Sequence, residues 1–168
     1  MPGLAVLVLA VAAGAAASTD ARIASSAFRV RIARPALATV VTAALEGAGR
    51  RLERGACAAI VDDFADAAGR PLVRRLEALG QSPRGYLSQI GFYDGHAASG
   101  CHRSRVVAIT APGSRTVWVC PGFTLLQKRD PGLAEVLLLH EMLHSLGLEE
   151  DPPTAAEITA GVIARCSR

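Results

Sequence analysis

Two histidines and a glutamate, His140, Glu141 and His144, stand close together in the last quarter of the chain. In a helix, side chains four residues apart leave the same face, so the rings of His140 and His144 can reach one metal ion. Glu141 lies beside that pair, where a carboxylate can accept a proton from a zinc-bound water without being a ligand itself. The spacing therefore predicts a zinc site with Glu141 as general base.

The neighbouring residues favour a buried helix for this motif. An apolar run follows Pro131, and Gly147 stands where a helix commonly ends, which predicts a metal-binding helix over about residues 132–146. The alternative is a pair of core histidines satisfied by hydrogen bonds alone. Burying two imidazoles and a carboxylate side by side is costly unless a partner compensates them, and a zinc ion is such a partner.

Hydrophobic patterns in the rest of the chain predict the elements that position this helix. Alternating or β-rich runs predict strands at residues 28–32, 90–93, 105–110 and 116–120. Helical patterns occupy residues 35–45, 71–79 and 155–165, whereas residues 56–64 fit either type. The segment 111–114 contains Pro112 and Gly113 and predicts a hairpin turn between the last two strands. We expect an α+β fold in which a small mixed sheet packs against the metal-binding helix, followed by a C-terminal helix.

Composition bounds the kind of protein and its partners. With 168 residues, of which 51% are hydrophobic and 20% charged, the chain can bury the core of one globular domain. The net charge is only +3 and the arginines are dispersed, so a nucleic acid partner is not expected. Aromatic residues make up 4% of the chain, which leaves little surface on which bases or sugars can stack.

The N-terminal segment predicts export. Residues 4–17 are apolar or small, end in an A-x-A type cleavage pattern, and are too few to span a bilayer of roughly 30 Å. We expect residues 1–17 to be a signal peptide and residues 18–168 to be a single domain, secreted or periplasmic, without stable membrane insertion. Because no Lys or Arg precedes the apolar stretch, an uncleaved anchor or a buried N-terminal helix is the alternative.

The four cysteines agree with export, because they are even in number, far apart and without CxxC spacing. They predict two disulfides, with three possible pairings. We favour Cys57 with Cys101 and Cys120 with Cys166, because the second bond would tie the final helix to the strand that precedes the metal-binding helix.

The longer segment HEMLHSLGLEE, residues 140–150, has the frame HExxHxxGxxE. Together with the preceding strands it resembles the zincin metallopeptidases, and the run from Glu150 to Thr159 is similar to a set of small exported bacterial metallopeptidases. The resemblance implies a zincin-like domain with one zinc ion per chain and a peptide or protein substrate. In the metzincin clan the third ligand stands ten places after the first histidine, which is Glu150 here, and the glycine at Gly147 lets the chain turn back to deliver it.

The third zinc ligand is open between two carboxylates. Metzincins have a methionine-containing turn downstream of the third ligand, and no methionine follows Glu150 in this chain. Other zincins take a glutamate from the following helix, where Glu157 stands. Glu157 also fits a capping box with Thr154, which explains that residue without a metal. Glu149 and Asp151 are further candidates.

Three protein ligands leave a fourth position for water, as a catalytic zinc requires. We therefore expect a zinc-dependent hydrolase that cleaves peptide bonds. One alternative is a non-catalytic, exported, zinc-stabilised binding or inhibitory domain, and another is an enzyme that acts on a non-peptide amide or ester. The oligomeric state is not indicated by the sequence.

Hydrolysis also needs a group that steadies the tetrahedral oxyanion or protonates the leaving amine. The candidates are polar or charged side chains outside the motif, namely His96, His102, Tyr86, Tyr93 and Arg165. The strand Val117-Trp118-Val119 either borders the cleft and pairs with an extended peptide or lies inside the sheet.

Overall fold

The computed structural model describes residues 28–103 and 106–167, and the expected signal peptide lies outside these ranges. This part of the chain is α+β. Its four strands are β1 (Arg29–Arg31), β2 (Gly91–Asp94), β3 (Ala108–Thr110) and β4 (Thr116–Val119). Its seven α-helices are α1 (Pro35–Leu52), α2 (Gly55–Ala58), α3 (Leu72–Ala78), α4 (Pro83–Leu87), α5 (Phe123–Arg129), α6 (Pro131–Ser145) and α7 (Ala155–Cys166). Two 3-10 turns span Ala59–Asp62 and Ser99–His102.

The sheet is mixed, with the strand order β1-β2-β4-β3. β1, β2 and β4 are parallel to one another, and β3 pairs antiparallel with β4 through the predicted hairpin. Trp118 faces Tyr93 on one side and Ile109 on the other. Because β4 therefore lies inside the sheet, the hypothesis that its residues form a free edge beside the cleft is wrong, and β3 is the edge strand on that side.

Helix α6, which carries His140 and His144, lies at the centre of the fold. It contacts α1, α5, α7 and β3, which explains why it is apolar on nearly every side. Leu138, Leu139 and Met142 are fully buried in the hydrophobic core. Truncating such a side chain to alanine costs about 2–5 kcal/mol, because the core closes only partly over the gap.

A glycine allows the close contact between α1 and α6. A Cβ atom at Gly47 would overlap the side chain of Glu135. That carboxylate accepts a hydrogen bond from Arg51, whose guanidinium also donates to the main-chain carbonyl of Cys166 at 2.6 Å. Arg51 therefore joins three helices around the base of α6.

Two disulfides are present, as predicted, but the favoured pairing is wrong. Cys57 bonds to Cys166 and joins α2 to the end of α7, whereas Cys101 bonds to Cys120 and joins the Ser99–His102 turn to the residue after β4. The reason is packing: α2 lies against α7, so Cys57 and Cys166 meet across 109 residues of sequence. In the chain-entropy model, closing a loop of that length contributes on the order of 4 kcal/mol to stability.

Within the described residues, no helix is both long enough and apolar enough to cross a membrane.

Candidate metal centre

Local signals define both ends of α6. Asp130 caps its start by accepting a hydrogen bond from the Leu133 amide at 2.9 Å, and Pro131 occupies the first turn. At the other end Gly147 has a positive φ of 111°, which glycine adopts without strain. The amides of Gly147 and Leu148 donate to the carbonyls of His144 and Leu143, which is the Schellman ending of a helix. The chain therefore reverses directly after the second histidine.

Three potential metal ligands converge where the chain reverses. The Nε2 atoms of His140 and His144 are 2.8 Å apart, and Glu150 Oε1 lies 3.7 Å from the first and 3.2 Å from the second. In the described ranges, His140, His144 and Glu150 form the one group of three metal-binding side chains with ligand atoms within 4.8 Å of one another. The predicted pair and the predicted third residue are thus brought together.

Each imidazole is held through its other ring nitrogen. His144 Nδ1 donates to the Leu148 carbonyl at 2.8 Å, so in the neutral ring Nε2 is the nitrogen that carries the electron pair. His140 Nδ1 lies 3.0 Å from the hydroxyl of Thr159 on α7. Partners of this kind fix the ring orientation and tautomer of metal-binding histidines.

The donor set fits a metal ion. The His144 Nε2 electron pair and the Glu150 carboxylate are both acceptors that face one another, and a cation between them satisfies both. Two imidazole nitrogens and one carboxylate oxygen are ligands that zinc commonly takes in sites with an open fourth position. These residues could therefore hold one divalent ion.

Burial sets the protonation of His140 in favour of metal binding. It lowers the pKa of the His140 imidazole to about 4, and the neighbouring His144 ring adds to that effect. A histidine with so low a pKa is neutral near pH 7. Neutral imidazole is the form that binds metal ions.

Glu141 is buried beside the candidate metal-binding group formed by His140, His144 and Glu150 but is not part of it. Its Oε2 atom has no hydrogen-bond partner, and neither has the buried Oγ1 atom of Thr110 on β3. Burial raises the pKa of the Glu141 carboxyl to about 7, and the nearby Thr110 hydroxyl opposes that rise without completing a hydrogen bond. A buried carboxyl with a free oxygen is a candidate proton acceptor.

The remaining carboxylates lie elsewhere. Glu157 forms the predicted capping box, because its side chain accepts from the Thr154 amide at 2.8 Å while Thr154 Oγ1 accepts from the Glu157 amide at 3.3 Å. Glu149 and Asp151 are exposed and outside the converging group. Glu150 itself keeps 49% of its side chain exposed, so the metal-binding group is open to solvent on that side.

A cavity of about 500 Å³ opens onto the metal-binding group. Its walls include the edge strand β3 and the preceding residues, together with parts of α6 and α7. The turn after β3 is fixed to α6, because the Gly113 amide donates to the His144 carbonyl at 2.9 Å. Strand, cavity and metal-binding group are therefore parts of one site.

None of the five proposed oxyanion or proton-donor residues lines this cavity. Tyr86 is buried behind α6, where its hydroxyl donates to the Ser145 carbonyl at 2.8 Å, and Tyr93 packs on Trp118. The other three lie outside the cavity. Arg165 pairs with Asp63, and His96 and His102 contact one another, with the His102 ring 3.4 Å from the His96 carbonyl.

The cavity instead contains three polar side chains that sequence reasoning did not single out. They are Arg103, Thr110 and Thr159. Thr159 lies two residues after Glu157 on the final helix, and Thr110 ends a predicted strand, but no spacing rule relates either residue to the histidines. Only the packing of α7 and β3 against α6 brings them to the site.

No protein family, curated protein or solved structure matches this chain. The geometry of the site therefore carries the functional argument by itself.

Replacing Thr159 by Val is expected to weaken zinc binding about 10- to 100-fold, because His140 loses the partner that orients its ring. Competition with a chromophoric chelator measures the affinity, and circular dichroism checks that the fold is kept. Thr159→Ser retains the hydroxyl and is expected to bind zinc nearly as the unchanged protein does. Equal affinities for the Val and Ser variants would show that this contact does not support the site.

Proposed function

We propose that this protein is an exported, zinc-dependent hydrolase that cleaves peptide bonds, with a zincin-like domain. His140, His144 and Glu150 would hold the zinc ion, and Glu141 would act as general base. The observation that carries this proposal is the convergence of three ligand atoms next to a buried carboxyl whose free oxygen has no other partner. A purely structural zinc site has no need for that fourth residue.

The chemistry divides between the metal and the side chains. When bound, zinc supplies Lewis acidity, which polarises a substrate carbonyl and lowers the pKa of water. Glu141 accepts the proton that the attacking water loses. The protonated carboxyl can then return that proton to the leaving amine, so that the cleaved bond yields a free acid and a free amine.

The cavity walls suit an extended peptide. β3 is the edge strand of the sheet and lines the cavity, so its outer side can pair with substrate main chain. Most of the other lining side chains are apolar, including Val106, Val107, Pro112 and Leu137. Main-chain pairing orients a peptide next to the metal, and the apolar walls exclude water from the reacting centre.

The test of this proposal combines metal content with turnover. Protein purified without chelators is expected to contain one zinc ion per chain and to cleave members of a mixed peptide library, with new termini identified by mass spectrometry. Chelation is expected to remove both zinc and cleavage, and added zinc is expected to restore both. Protein that takes up no zinc, or zinc-loaded protein that leaves every peptide intact, would contradict the proposal.

A further inference from the structure

We propose that Arg103 makes the cavity selective for substrates that carry a carboxylate close to the cleaved bond. This inference rests on the proposed function, because it defines the substrate class of the same site. Arg103 lines the cavity and is exposed to solvent. It is the single arginine or lysine among the described residues that line this cavity.

Arg103 has no ion-pair partner among the described residues, unlike two of the three arginines that line the second cavity. In the second cavity, of about 300 Å³, Arg70 pairs with Asp66 and Arg74 pairs with Glu77. The acidic residues that line the same cavity as Arg103 are Glu141 and Glu150, and each has another role in the proposed site. The guanidinium of Arg103 is therefore available to a ligand.

The charge of the loaded cavity favours an anion. The two positive charges of a zinc ion are balanced at most by two negative charges, those of the Glu141 and Glu150 carboxylates. Arg103 then leaves the site with at least one excess positive charge. A guanidinium can bind a carboxylate through two parallel hydrogen bonds, which selects for shape as well as for charge.

The main chain next to Arg103 is anchored to the sheet. Cys101, two residues earlier, is bonded to Cys120 after β4, and the Arg103 carbonyl accepts from the Val106 amide at 3.4 Å. The Cys120 amide in turn donates to the Val107 carbonyl at 2.9 Å. Arg103 is thus held at the wall that continues into the edge strand β3, along which we propose that the substrate lies.

The carboxylate could come from an Asp or Glu side chain or from the C-terminal end of a peptide, and two matched peptide pairs separate these sources. In one pair Glu is replaced by Gln within an otherwise identical peptide that has blocked ends. In the other pair a free C-terminal acid is replaced by its amide. Affinities are measured by calorimetry on zinc-loaded Glu141→Gln protein, in which peptides bind without being cleaved.

In this background we expect the acidic member of at least one pair to bind about 10-fold more tightly than its neutral partner. Adding Arg103→Gln is expected to remove that preference, and Arg103→Lys is expected to retain part of it because the charge remains without the two-pronged geometry. Arg129→Gln removes one positive charge from the exposed end of α5, outside the cavity, and is the matched control. It is expected to leave the preference unchanged.

Each outcome bears on Arg103 separately from the hydrolase proposal. Equal affinity within both pairs, no binding of any peptide, or an equal loss of preference in the Arg129→Gln control would overturn the role of Arg103. A preference that depends on Arg103, in a protein whose Glu141-containing form cleaves nothing, would support the anion site and contradict the hydrolase. Cleavage of acidic and neutral peptides at equal rates would support the hydrolase and contradict the role of Arg103.

Discussion

Replacing Glu141 by Gln is expected to lower kcat for peptide cleavage by about 10²- to 10⁴-fold, the usual contribution of a general base. The amide has nearly the same shape as the carboxyl but cannot accept the proton of the attacking water. Zinc should remain bound, because Glu141 lies outside the group of ligand atoms formed by His140, His144 and Glu150. The measurements are kcat on the best library peptide and zinc content by elemental analysis.

This variant also separates the proposed enzyme from the alternatives. A non-catalytic zinc-stabilised domain would show no hydrolysis before or after the change, and its ligand affinity would be insensitive to Glu141→Gln. An enzyme that acts on another amide or an ester would lose that activity in the variant while showing none on peptides. The control is Glu149→Gln, an exposed neighbour of the third ligand, which should keep full activity. Full peptide activity in Glu141→Gln would rule out Glu141 as the base.

The parts of this molecule that sequence predicts well are those set by neighbouring residues. Pro131 and Gly147 mark the ends of α6, and the structure confirms that helix within one residue of the expected range at each end. The capping box of Glu157 and the hairpin at Gly113 are also confirmed. In each case a hydrogen bond or backbone angle a few residues away is enough to specify the conformation.

The parts that sequence predicts poorly depend on contacts between distant segments. The disulfide pairing follows from the packing of α2 on α7. The position of β4 inside the sheet follows from its pairing with β2, in which Thr116 lies opposite Gly91, a residue 25 positions earlier in the chain. The short helices α4 and α5 were not predicted, because five and seven residues carry little periodicity by themselves. Helix α3 is equally short but was predicted, because Pro71 and Gly80 mark its ends. Thr110, Thr159 and Arg103 reach the cavity only through such long-range packing.

The choice between Glu150 and Glu157 as third ligand shows how local and long-range information combine. Sequence left both open, because both follow the second histidine at distances known from zincins. The capping box occupies the Glu157 carboxylate, and the turn at Gly147 brings Glu150 Oε1 to 3.2 Å from His144 Nε2. The geometry therefore favours Glu150 as the third ligand.

Replacing Glu150 by Ala removes a ligand atom itself and is therefore expected to weaken zinc binding strongly. The loss should exceed the roughly 10- to 100-fold that follows when a ligand only loses its hydrogen-bond partner. The unfolding midpoint of the metal-free protein should change little, since the Glu150 side chain is half exposed and is not part of the hydrophobic core. Chelator competition measures the affinity, and thermal unfolding in chelator measures the metal-free stability.

Glu157→Ala is expected to show the opposite pattern. It removes the side-chain half of the capping box at the start of α7, so the unfolding midpoint should fall slightly while zinc affinity stays within a few-fold of the original. Glu149→Ala, which touches neither feature, is expected to change neither quantity. If Glu157→Ala lost zinc and Glu150→Ala retained it, the carboxylate on the final helix would be the ligand, and the capping box would have to open when the metal binds.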